Sequence, residues 1–288
     1  MEPKDTFFSR KRTLNCNGKL IDLTIPKVMG ILNVTPDSFY DGGMNYSEAE
    51  IHSALDKMID EGADIIDVGG YSSRPGALHI NEQEELARLS MALTIIRKKY
   101  PEAIVSVDTF RSSIAKAVVK DYKVDIINDI SAGNMDDEMF ETIAALNVPY
   151  IIMHMQGAPQ NMQANPNYKN LIPDILSFLS KKVFALRNLG VKDIIIDPGF
   201  GFGKTLEHNY DILHHLNEFT MLELPILVGV SRKSMIYKAL GITPEKALNG
   251  TTVLHTITLL KGADILRVHD VKEARECIKL VNKYKNHF

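Results

Sequence analysis

The chain has few cysteines, no long apolar run and little excess charge, and each shortage excludes a class of protein. Among its 288 residues only Cys16 and Cys277 are cysteines. Their spacing fits neither a metal site nor a disulfide framework, so we interpret them as reduced thiols. No apolar run is long enough to cross a bilayer. A formal net charge of -3 provides no basic surface for nucleic acid or for an anionic membrane.

The beginning of the chain, its composition and its length predict one cytoplasmic domain. Residues 1–12 mix charges with Phe7 and Phe8 and lack the apolar core of a signal peptide, so we expect a cytoplasmic protein. Hydrophobic residues make up 45% and charged residues 24% of the chain, which is ordinary for a protein that buries a large core. Because the length is close to that of one (β/α)8 barrel, residues 1–288 are predicted to form a single domain.

Eight short runs rich in Val, Ile and Leu alternate with amphipathic stretches. Strand–helix alternation predicts a parallel sheet, and eight repeats predict its closure into a TIM barrel of the α/β class. The runs are continuously apolar, as expected for strands that are covered on both faces. The predicted strands are 27–32, 64–68, 104–107, 124–127, 150–153, 193–196, 226–230 and 265–268. The clearest predicted helices are 47–61, 82–99, 173–189 and 272–285.

An Asn-Gly pair lies shortly before the first of these strands. Asn17 and Gly18 separate two short segments, 13–15 and 20–24, and Asn-Gly is a strong signal for a two-residue hairpin turn. We therefore predict an N-terminal β-hairpin that closes the floor of the barrel.

Residues that can hydrogen-bond or carry charge stand at or near the ends of the apolar runs. The carboxyl ends of all barrel strands lie on one rim, so these side chains are expected to converge on a single mouth. The residues are Asn33, Asp67, Asp108, Asn128, His154, Asp197, Ser231, Arg267 and His269. The connections that leave the first, second and fifth strands are long and rich in Gly, Pro and Ser, as expected at a functional rim.

Asp108, Asn128 and Asp197 end three different predicted strands. Two carboxylates and an amide that face a confined mouth are unfavourable unless a partner satisfies them. A ligand with several N–H donors, such as the guanidine-like edge of a heterocycle, would do so. From these residues alone, acid–base catalysis, metal binding and salt bridges to nearby lysines are the alternatives.

The segment 197–205 reads Asp-Pro-Gly-Phe-Gly-Phe-Gly-Lys-Thr and looks like a phosphate-binding P-loop. That motif needs four residues between its first glycine and Gly-Lys-Thr, whereas only three separate Gly199 from Gly203. The P-loop interpretation therefore fails by one residue. We predict instead that the glycines let the backbone approach a planar ligand closely, with Phe202 beside it.

Two long loops are candidates for substrate contacts. The first, 33–43, carries Phe39 close to a pair of glycines, so it could swing over a flat substrate. The second, 69–77, places hydroxyls and Arg74 between glycines, which suits an oxyanion or a phosphate. A solvated surface turn is the alternative for each loop.

Basic residues follow the last two strands. Residues 231–234 read Ser-Arg-Lys-Ser and are expected to open a helix that could hold an anion, although N-capping by Ser231 is an equal explanation. Arg267 and His269 stand two residues apart, so they face the same side of their strand and together could hold a diphosphate. His154 has no identifiable partner, and we interpret it as a packing residue.

Taken together, these segments resemble the dihydropteroate synthase family. Each is modest evidence alone, but the set runs in the family's order along nearly the whole chain. The matching stretches are 29–39, 107–109, 128–130, 153–155, 197–204, 231–234 and 267–270. One departure is visible, because the family pattern Glu-Ser-Thr-Arg-Pro reads Tyr-Ser-Ser-Arg-Pro at 71–75. Ser73 keeps the hydroxyl, but the glutamate is replaced by Tyr71.

The resemblance implies condensation of (7,8-dihydropterin-6-yl)methyl diphosphate with 4-aminobenzoate, giving 7,8-dihydropteroate and diphosphate. It also implies Mg2+ held with the help of Asn33, a homodimer, and membership of a family of sulfonamide targets. The implied catalytic residues are Asp37, Asp108, Lys233 and Arg267. The implied pterin and diphosphate contacts are Asp108, Asn128, Met153, Asp197, Phe202, Lys233, Arg267 and His269. The implied aminobenzoate contacts are Phe39, Ser73, Arg74, Pro75, Lys233 and Ser234.

Two rival functions are considered beside this one. A pterin-binding methyltransferase has a similar barrel but delivers a methyl group to a corrinoid protein, and a requirement for diphosphate would distinguish the two. The Ser-Arg-Lys-Ser and Thr-Pro-Asp-Ser-Phe segments favour the synthase. A pterin-binding barrel without catalytic activity is the second rival, and a folate-synthesis assay would separate binding from turnover.

Overall fold

Eight parallel strands alternate with helices along the chain, preceded by a hairpin. The computed structural model describes residues 10–35, 48–72, 80–157, 162 and 166–286. Its strands are β1 (Thr13–Cys16), β2 (Lys19–Asp22), β3 (Lys27–Asn33), β4 (Ile65–Gly69), β5 (Ile104–Asp108), β6 (Ile126–Asp129), β7 (Tyr150–Met153), β8 (Ile194–Asp197), β9 (Leu227–Val228) and β10 (Ile265–Val268). Its α-helices are α1 (Glu48–Asp60), α2 (Glu82–Lys99), α3 (Ser112–Tyr122), α4 (Met139–Leu146), α5 (Leu171–Asn188), α6 (Leu206–His214), α7 (Ser234–Leu240), α8 (Leu248–Leu260) and α9 (Val271–Lys285). Short 3-10 helices span Leu216–Leu222 and Pro244–Lys246.

The strands β3 to β10 form a closed ring. They are hydrogen-bonded in parallel in the order β8-β7-β6-β5-β4-β3-β10-β9, and an isolated parallel bridge between Ile196 and Ile226 joins β8 to β9. The predicted TIM barrel is therefore confirmed. The seventh barrel strand, β9, is shorter than the predicted 226–230, because the chain turns away after it and the Lys233 N–H bonds to the Val230 carbonyl at 3.1 Å.

The N-terminal hairpin lies where the sequence predicts it. β1 and β2 pair in antiparallel fashion, and Asn17 and Gly18 have φ values of 52° and 89°, the left-handed conformations that a type I′ turn requires. Apolar side chains of the hairpin segment pack inside the barrel against residues near the beginning of its strands. This cluster contains Leu14, Cys16, Ile21, Leu23, Met29, Ile65, Ile126, Ile151, Ile195, Leu227 and Ile265. The hairpin thus fills the floor of the barrel, and burial raises the pKa of the Cys16 thiol to about 12.

The larger core lies between the strands and the surrounding helices. In α1, for example, Ile51 and Leu55 stand one turn apart and are both fully buried. The α2 helix begins where the Asn81 side chain accepts the Glu84 N–H at 2.9 Å. Its first turn is acidic and its last turn basic, which stabilises the helix dipole. None of the described helices combines the length and apolar character that a membrane span needs.

Three aspartates make the same two interactions at the rim where the barrel strands begin. Each accepts a backbone N–H from an adjacent strand or strand start, at 2.7 to 2.9 Å, and pairs with an arginine. The sets are Asp64 with Val28 and Arg275, Asp125 with Val105 and Arg97, and Asp264 with Ile226 and Arg10. These charged groups stabilise the beginnings of the strands, whereas the active sites of TIM barrels lie at the opposite rim.

Candidate active site

A cavity of about 560 Å³ opens at the rim where the barrel strands end. Predicted site residues that line it are Asn33, Asp108, Phe202, Lys233, Ser234, Arg267 and His269. Asn128, Met153 and Asp197 are buried on β6, β7 and β8 and do not line the described part of this cavity. The predicted site residues Asp37, Phe39, Ser73, Arg74 and Pro75 lie outside the described residues. Residues from the two ends of the chain thus converge on one mouth.

A second cavity, of about 600 Å³, lies beside Arg10 and the 3-10 helix Leu216–Leu222. Its arginine already donates hydrogen bonds to the carbonyls of Leu224 and Gly262 and pairs with Asp264. We assign the chemistry to the first cavity, because its charged groups come from several different strand ends.

The guanidinium of Arg267 is held between two carboxylates. Its Nε donates to Asp67 Oδ2 at 2.6 Å, and its Nη2 donates to Asp108 Oδ2 at 2.8 Å. Burial alone would lower the pKa of Arg267, but the two carboxylates raise it above its ordinary value. Burial raises the pKa of Asp108 to about 7 against the opposing charge of Arg267. Asp108 therefore pairs with an arginine rather than with one of the lysines considered from the sequence.

Asp67 is the functional candidate that the sequence reasoning left without a role. It is fully buried, and its Oδ2 also accepts a hydrogen bond from Asn128 Nδ2 at 3.2 Å. The other oxygen, Oδ1, has no hydrogen-bond partner among the described residues. Asp67 thus links Asn128 to Arg267 from below. Side chains two residues apart point to the same face of a strand, so Asp67 and the last residue of β4, Gly69, face the same side. This spacing was the available signal in the sequence. Asp67, however, lies two residues before the end of its strand, deeper in the barrel than the other strand-end residues.

Buried Asp197 and half-buried Lys233 lie close enough for their opposite charges to influence each other's pKa. Asp197 Oδ1 accepts the Gly199 N–H at 2.7 Å, and burial raises the pKa of its carboxyl, with Lys233 as the strongest opposing charge. Lys233 donates to the Phe200 carbonyl and lies 4.8 Å from the centre of the Phe202 ring. Burial lowers the pKa of Lys233 to about 8. Phe202 also lines the cavity, and its place beside a planar ligand stays a prediction.

Lys204 and His154 lie beneath the glycine-rich segment. Lys204 Nζ is 3.1 Å from His154 Nδ1, and it donates to the carbonyls of His154 and Phe202 at 3.2 and 3.0 Å. Burial lowers the pKa of His154 to about 3 and that of Lys204 to about 7. His154 packs edge-on against Phe178, so its role in packing is confirmed, but the expectation that it has no partner is wrong.

The glycines of this segment approach protein backbone. A Cβ on Gly199 (φ 75°) would lie 1.9 Å from the His154 carbonyl oxygen, and one on Gly203 (φ 64°) would lie 2.5 Å from that of Gln156. Only Gly201 faces the site, where a Cβ would stand 3.5 Å from the Lys233 stem. The prediction of close approach to a ligand is therefore wrong for Gly199 and Gly203, which pack against the chain after β7.

We expect Gly199→Ala to destabilise the protein more than Gly190→Ala does. Both glycines have positive φ, but a Cβ at Gly190 would meet nothing within 4 Å, so this variant carries the backbone strain without the collision. The collision at Gly199 should add about 1–3 kcal/mol to the loss in free energy of unfolding. Urea unfolding of the two variants measures the difference. Equal losses in the free energy of unfolding would show that the loop at Gly199 moves to accommodate a Cβ at little energetic cost.

Ser231 orients His269 and does not cap a helix. Its hydroxyl accepts the His269 backbone N–H at 3.2 Å and lies 3.1 Å from Nδ1 of the same residue. The helix α7 begins only at Ser234, and its N-cap residue is Lys233, which makes no side-chain capping bond. The expectation of N-capping by Ser231 is therefore wrong. The alternative of an anion site at the end of this seven-residue helix gains no support either.

Asn33 stands at the end of β3 with its amide oxygen over Gly69. A Cβ on Gly69 would lie 3.0 Å from Asn33 Oδ1, so the glycine leaves room for this amide at the cavity wall. In the described ranges, no cluster of three or more His, Cys, Asp or Glu residues could hold a metal ion. The Asn33 amide oxygen is a hard oxygen donor of the kind that Mg2+ accepts, and the remaining ligands would have to come from substrate phosphates and water.

Comparisons with known proteins agree with this geometry. The pterin-binding enzyme family matches residues 29–269. A dihydropteroate synthase from Haemophilus influenzae is 42% identical over 269 residues, which cover 93% of this chain and 97% of the relative. The Yersinia pestis dihydropteroate synthase, solved with a sulfonamide drug complex, has a TM-score of 0.90 at 39% identity, with 95% and 99% of the two chains covered. The Xanthomonas albilineans enzyme, solved with 4-aminobenzoic acid, has a TM-score of 0.87 at 34% identity over 95% and 98% of the chains.

Proposed function

Because the chain belongs to the pterin-binding enzymes and, among them, to the dihydropteroate synthases, we propose that it joins (7,8-dihydropterin-6-yl)methyl diphosphate to 4-aminobenzoate with the help of Mg2+. It is a transferase of an alkyl group. The proposal depends above all on Arg267, which is fixed between Asp67 and Asp108 at a cavity that also contains His269 and Lys233. The solved relatives with 4-aminobenzoic acid and with product support the choice of substrates.

The buried acidic groups suit the donor-rich edge of a pterin. Its amino group and ring N–H resemble a guanidine, and carboxylates accept hydrogen bonds from such groups strongly. We assign Asp108, which lines the cavity, to this edge, together with two buried neighbours of the lining, Asn128 beside Asp108 in the strand register and Asp197 on β8. Met153 would form an apolar wall beside Asp197. Binding would satisfy the carboxylates that burial otherwise keeps at a raised pKa.

Arg267 and His269 are assigned to the diphosphate. Both line the cavity, on the same side of the end of β10, where they would stabilise negative charge as diphosphate departs. Mg2+, when bound, would neutralise further charge on the leaving group, and Asn33 would supply its protein ligand. The roles of Asp37, Phe39, Ser73, Arg74 and Pro75 stay predictions.

The transfer breaks the bond from the methylene carbon to the diphosphate oxygen and forms a carbon–nitrogen bond to the aromatic amine, which then loses a proton. The electron-rich dihydropterin ring can support positive charge on the methylene, and Asp108 and Asp197 would stabilise that charge. The amine is uncharged near neutral pH, so it needs positioning more than activation. Lys233 and Ser234, at the cavity wall, are assigned to that task.

The test is incubation of the purified protein with both substrates and Mg2+, with detection of diphosphate. We expect diphosphate release that depends on 4-aminobenzoate, together with dihydropteroate formation. Pterin binding without diphosphate release would indicate a pterin-binding barrel that lacks catalytic activity. Methyl transfer to a corrinoid protein would indicate a pterin-binding methyltransferase. Either result would refute the proposal.

The pKa of Asp108 leads to a prediction for the pH dependence of kcat/KM for the pterin substrate. Asp108 must be ionised to accept N–H donors, and its pKa in the free site is about 7. We therefore expect kcat/KM to fall about tenfold per pH unit as the pH drops below about 7. In Asp108→Asn the overall rate should be lower and this acid limb should disappear, whereas a limb due to the phosphates of the substrate would persist.

We further propose that the chain forms a cytoplasmic homodimer through α8 and α9. Apolar side chains on these neighbouring helices are 47% to 72% exposed, and a contiguous exposed apolar patch is typical of a protein–protein interface. They are Val253, Leu260, Leu280 and Tyr284. Sedimentation velocity should give twice the mass of one chain, and Leu280→Glu should shift the protein towards monomer. A parent protein that sediments as a monomer would refute this assembly.

A further inference from the structure

Arg111 lies at the start of α3 and contacts a described residue on each side of the segment 73–79, namely Tyr71 and Ile80. On one side its guanidinium carbon is 5.7 Å from the centre of the Tyr71 ring, with Ser72 the only residue between Tyr71 and that segment. On the other side Nη2 donates to the carbonyl of Ile80, which follows the segment directly, at 2.7 Å. One side chain thus ties the two flanks together.

The N–H groups and the central carbon of this guanidinium contact different partners. Its N–H edges bond to the carboxylate of Glu85 and to the Ile80 carbonyl. Its central carbon lies 5.1 Å from the centre of the Phe110 ring, and Phe110 packs edge-on against Tyr71 with ring centres 5.1 Å apart. Planar guanidinium groups stack well on aromatic rings. An aromatic residue at position 71 therefore complements an arginine whose edges are already engaged.

Through Glu85, Arg111 is also connected to the strand ends assigned to the pterin. Glu85 is fully buried, and the Thr109 hydroxyl donates to its Oε1 at 2.8 Å. Thr109 directly follows Asp108, and its N–H bonds to the Asn128 carbonyl at 2.9 Å. Tyr71 and Ser72 line the cavity themselves. Arg111 is therefore fixed relative to the strand ends that carry Asp108 and Asn128.

We propose that Arg111 is a positioning residue for 4-aminobenzoate, acting through Tyr71 and Ile80 to hold the cavity wall at Tyr71 and Ser72. The inference rests on the proposed function, since the resemblance assigns aminobenzoate contacts to residues that follow Ser72. It also gives a role to Tyr71, where this chain departs from the family pattern. A glutamate at position 71 would add a second carboxylate beside Arg111, which Glu85 already neutralises. Tyr71 lies against the guanidinium without adding charge.

The decisive measurement is the steady-state kinetics of Tyr71→Leu and Tyr71→Phe. Losing the ring should raise KM for 4-aminobenzoate about three- to tenfold, the range that a weak to moderate cation–π contact corresponds to. The kcat, the Kd for pterin diphosphate and Tm should stay near the parental values. Tyr71→Phe keeps the ring and should behave like the parent. Equal losses in Phe and Leu would overturn the stacking argument.

Arg111→Lys tests the other partner without leaving Glu85 unpaired. Lysine keeps the charge but lacks the planar group and the fork that places one nitrogen on Glu85 and another on Ile80, so the same rise in KM is expected. Because Tyr71 and Arg111 act through one contact, the double variant should be no worse than the poorer single variant. Fully additive effects, or a matching loss of pterin affinity, would overturn the proposal.

Tyr100→Leu is the matched control. Tyr100 also has a cation against its ring, with Lys99 Nζ 5.6 Å from the ring centre, but it lies at the opposite end of α2 from the cavity. Its KM for 4-aminobenzoate should equal that of the parent. Turnover by the parent tests the proposed function, whereas the comparison among variants tests this inference, so the two failures are distinguishable.

Discussion

Replacing Arg267 with lysine is expected to lower kcat about 10²- to 10³-fold, which is the usual cost of losing one donor that stabilises transition-state charge. Lysine keeps a positive charge between Asp67 and Asp108, so the buried and the half-buried carboxylate are not left without a cation. It lacks the planar fork of arginine. That fork bonds to both carboxylates and has further N–H groups left for a diphosphate. The defect should therefore appear in catalysis more than in folding.

Arg267→Met separates the two roles of this side chain. Without any cation, two carboxylates are left buried at the site, and the free energy of unfolding should fall by about 3–5 kcal/mol in addition to the loss of activity. Arg275→Lys is the control, since Arg275 pairs with Asp64 at the opposite rim, and it should leave kcat unchanged. A kcat for Arg267→Lys within threefold of the parent would show that Arg267 does not act on the leaving group.

Asp197→Asn is expected to weaken binding of pterin diphosphate at least about 10²-fold, because two charge-assisted hydrogen bonds contribute roughly 1.5–3 kcal/mol each. The amide can still accept the Gly199 N–H through its oxygen. Its nitrogen, however, would present a donor to the donors of the pterin. The shape of the site is retained while the charge and half of the acceptor capacity are lost.

Calorimetric titration with pterin diphosphate measures this effect directly. Asp193→Asn is the matched control, because Asp193 immediately precedes β8 at its other end and pairs with Lys11. Its affinity for the pterin should match that of the parent. Unchanged affinity for the pterin in Asp197→Asn would contradict the assignment, because the carboxylate would then only hold the glycine-rich segment through the Gly199 N–H.

The alternation of apolar runs was sufficient to predict the fold. The barrel, the hairpin floor and the strand from 150 to 153 are confirmed, because burial on both faces and an Asn-Gly turn leave strong local signals. Convergence on one rim followed from topology alone, and it correctly brought Asp108 and Arg267 to the same cavity.

The pairings within the site were less accessible from the sequence. Arg267 and Asp67 are 200 residues apart and meet at 2.6 Å, a distance that depends on strand register and rotamers rather than on composition. The contacts of Lys204 with His154 and of Ser231 with His269 also depend on strand register and rotamers, so the sequence did not predict them. The close approach of Gly199 was expected, but its partner was not, since a glycine reveals the need for space and not what occupies it.

The most direct test of the account is a crystal structure of the protein with a pterin diphosphate analogue and Mg2+. We predict that the ring lies in the cavity with its N–H edge on Asp197, Asp108 and Asn128. The phosphates should point towards Arg267 and His269. A pterin bound elsewhere, or one in this cavity with its phosphates turned away from β10, would contradict the account.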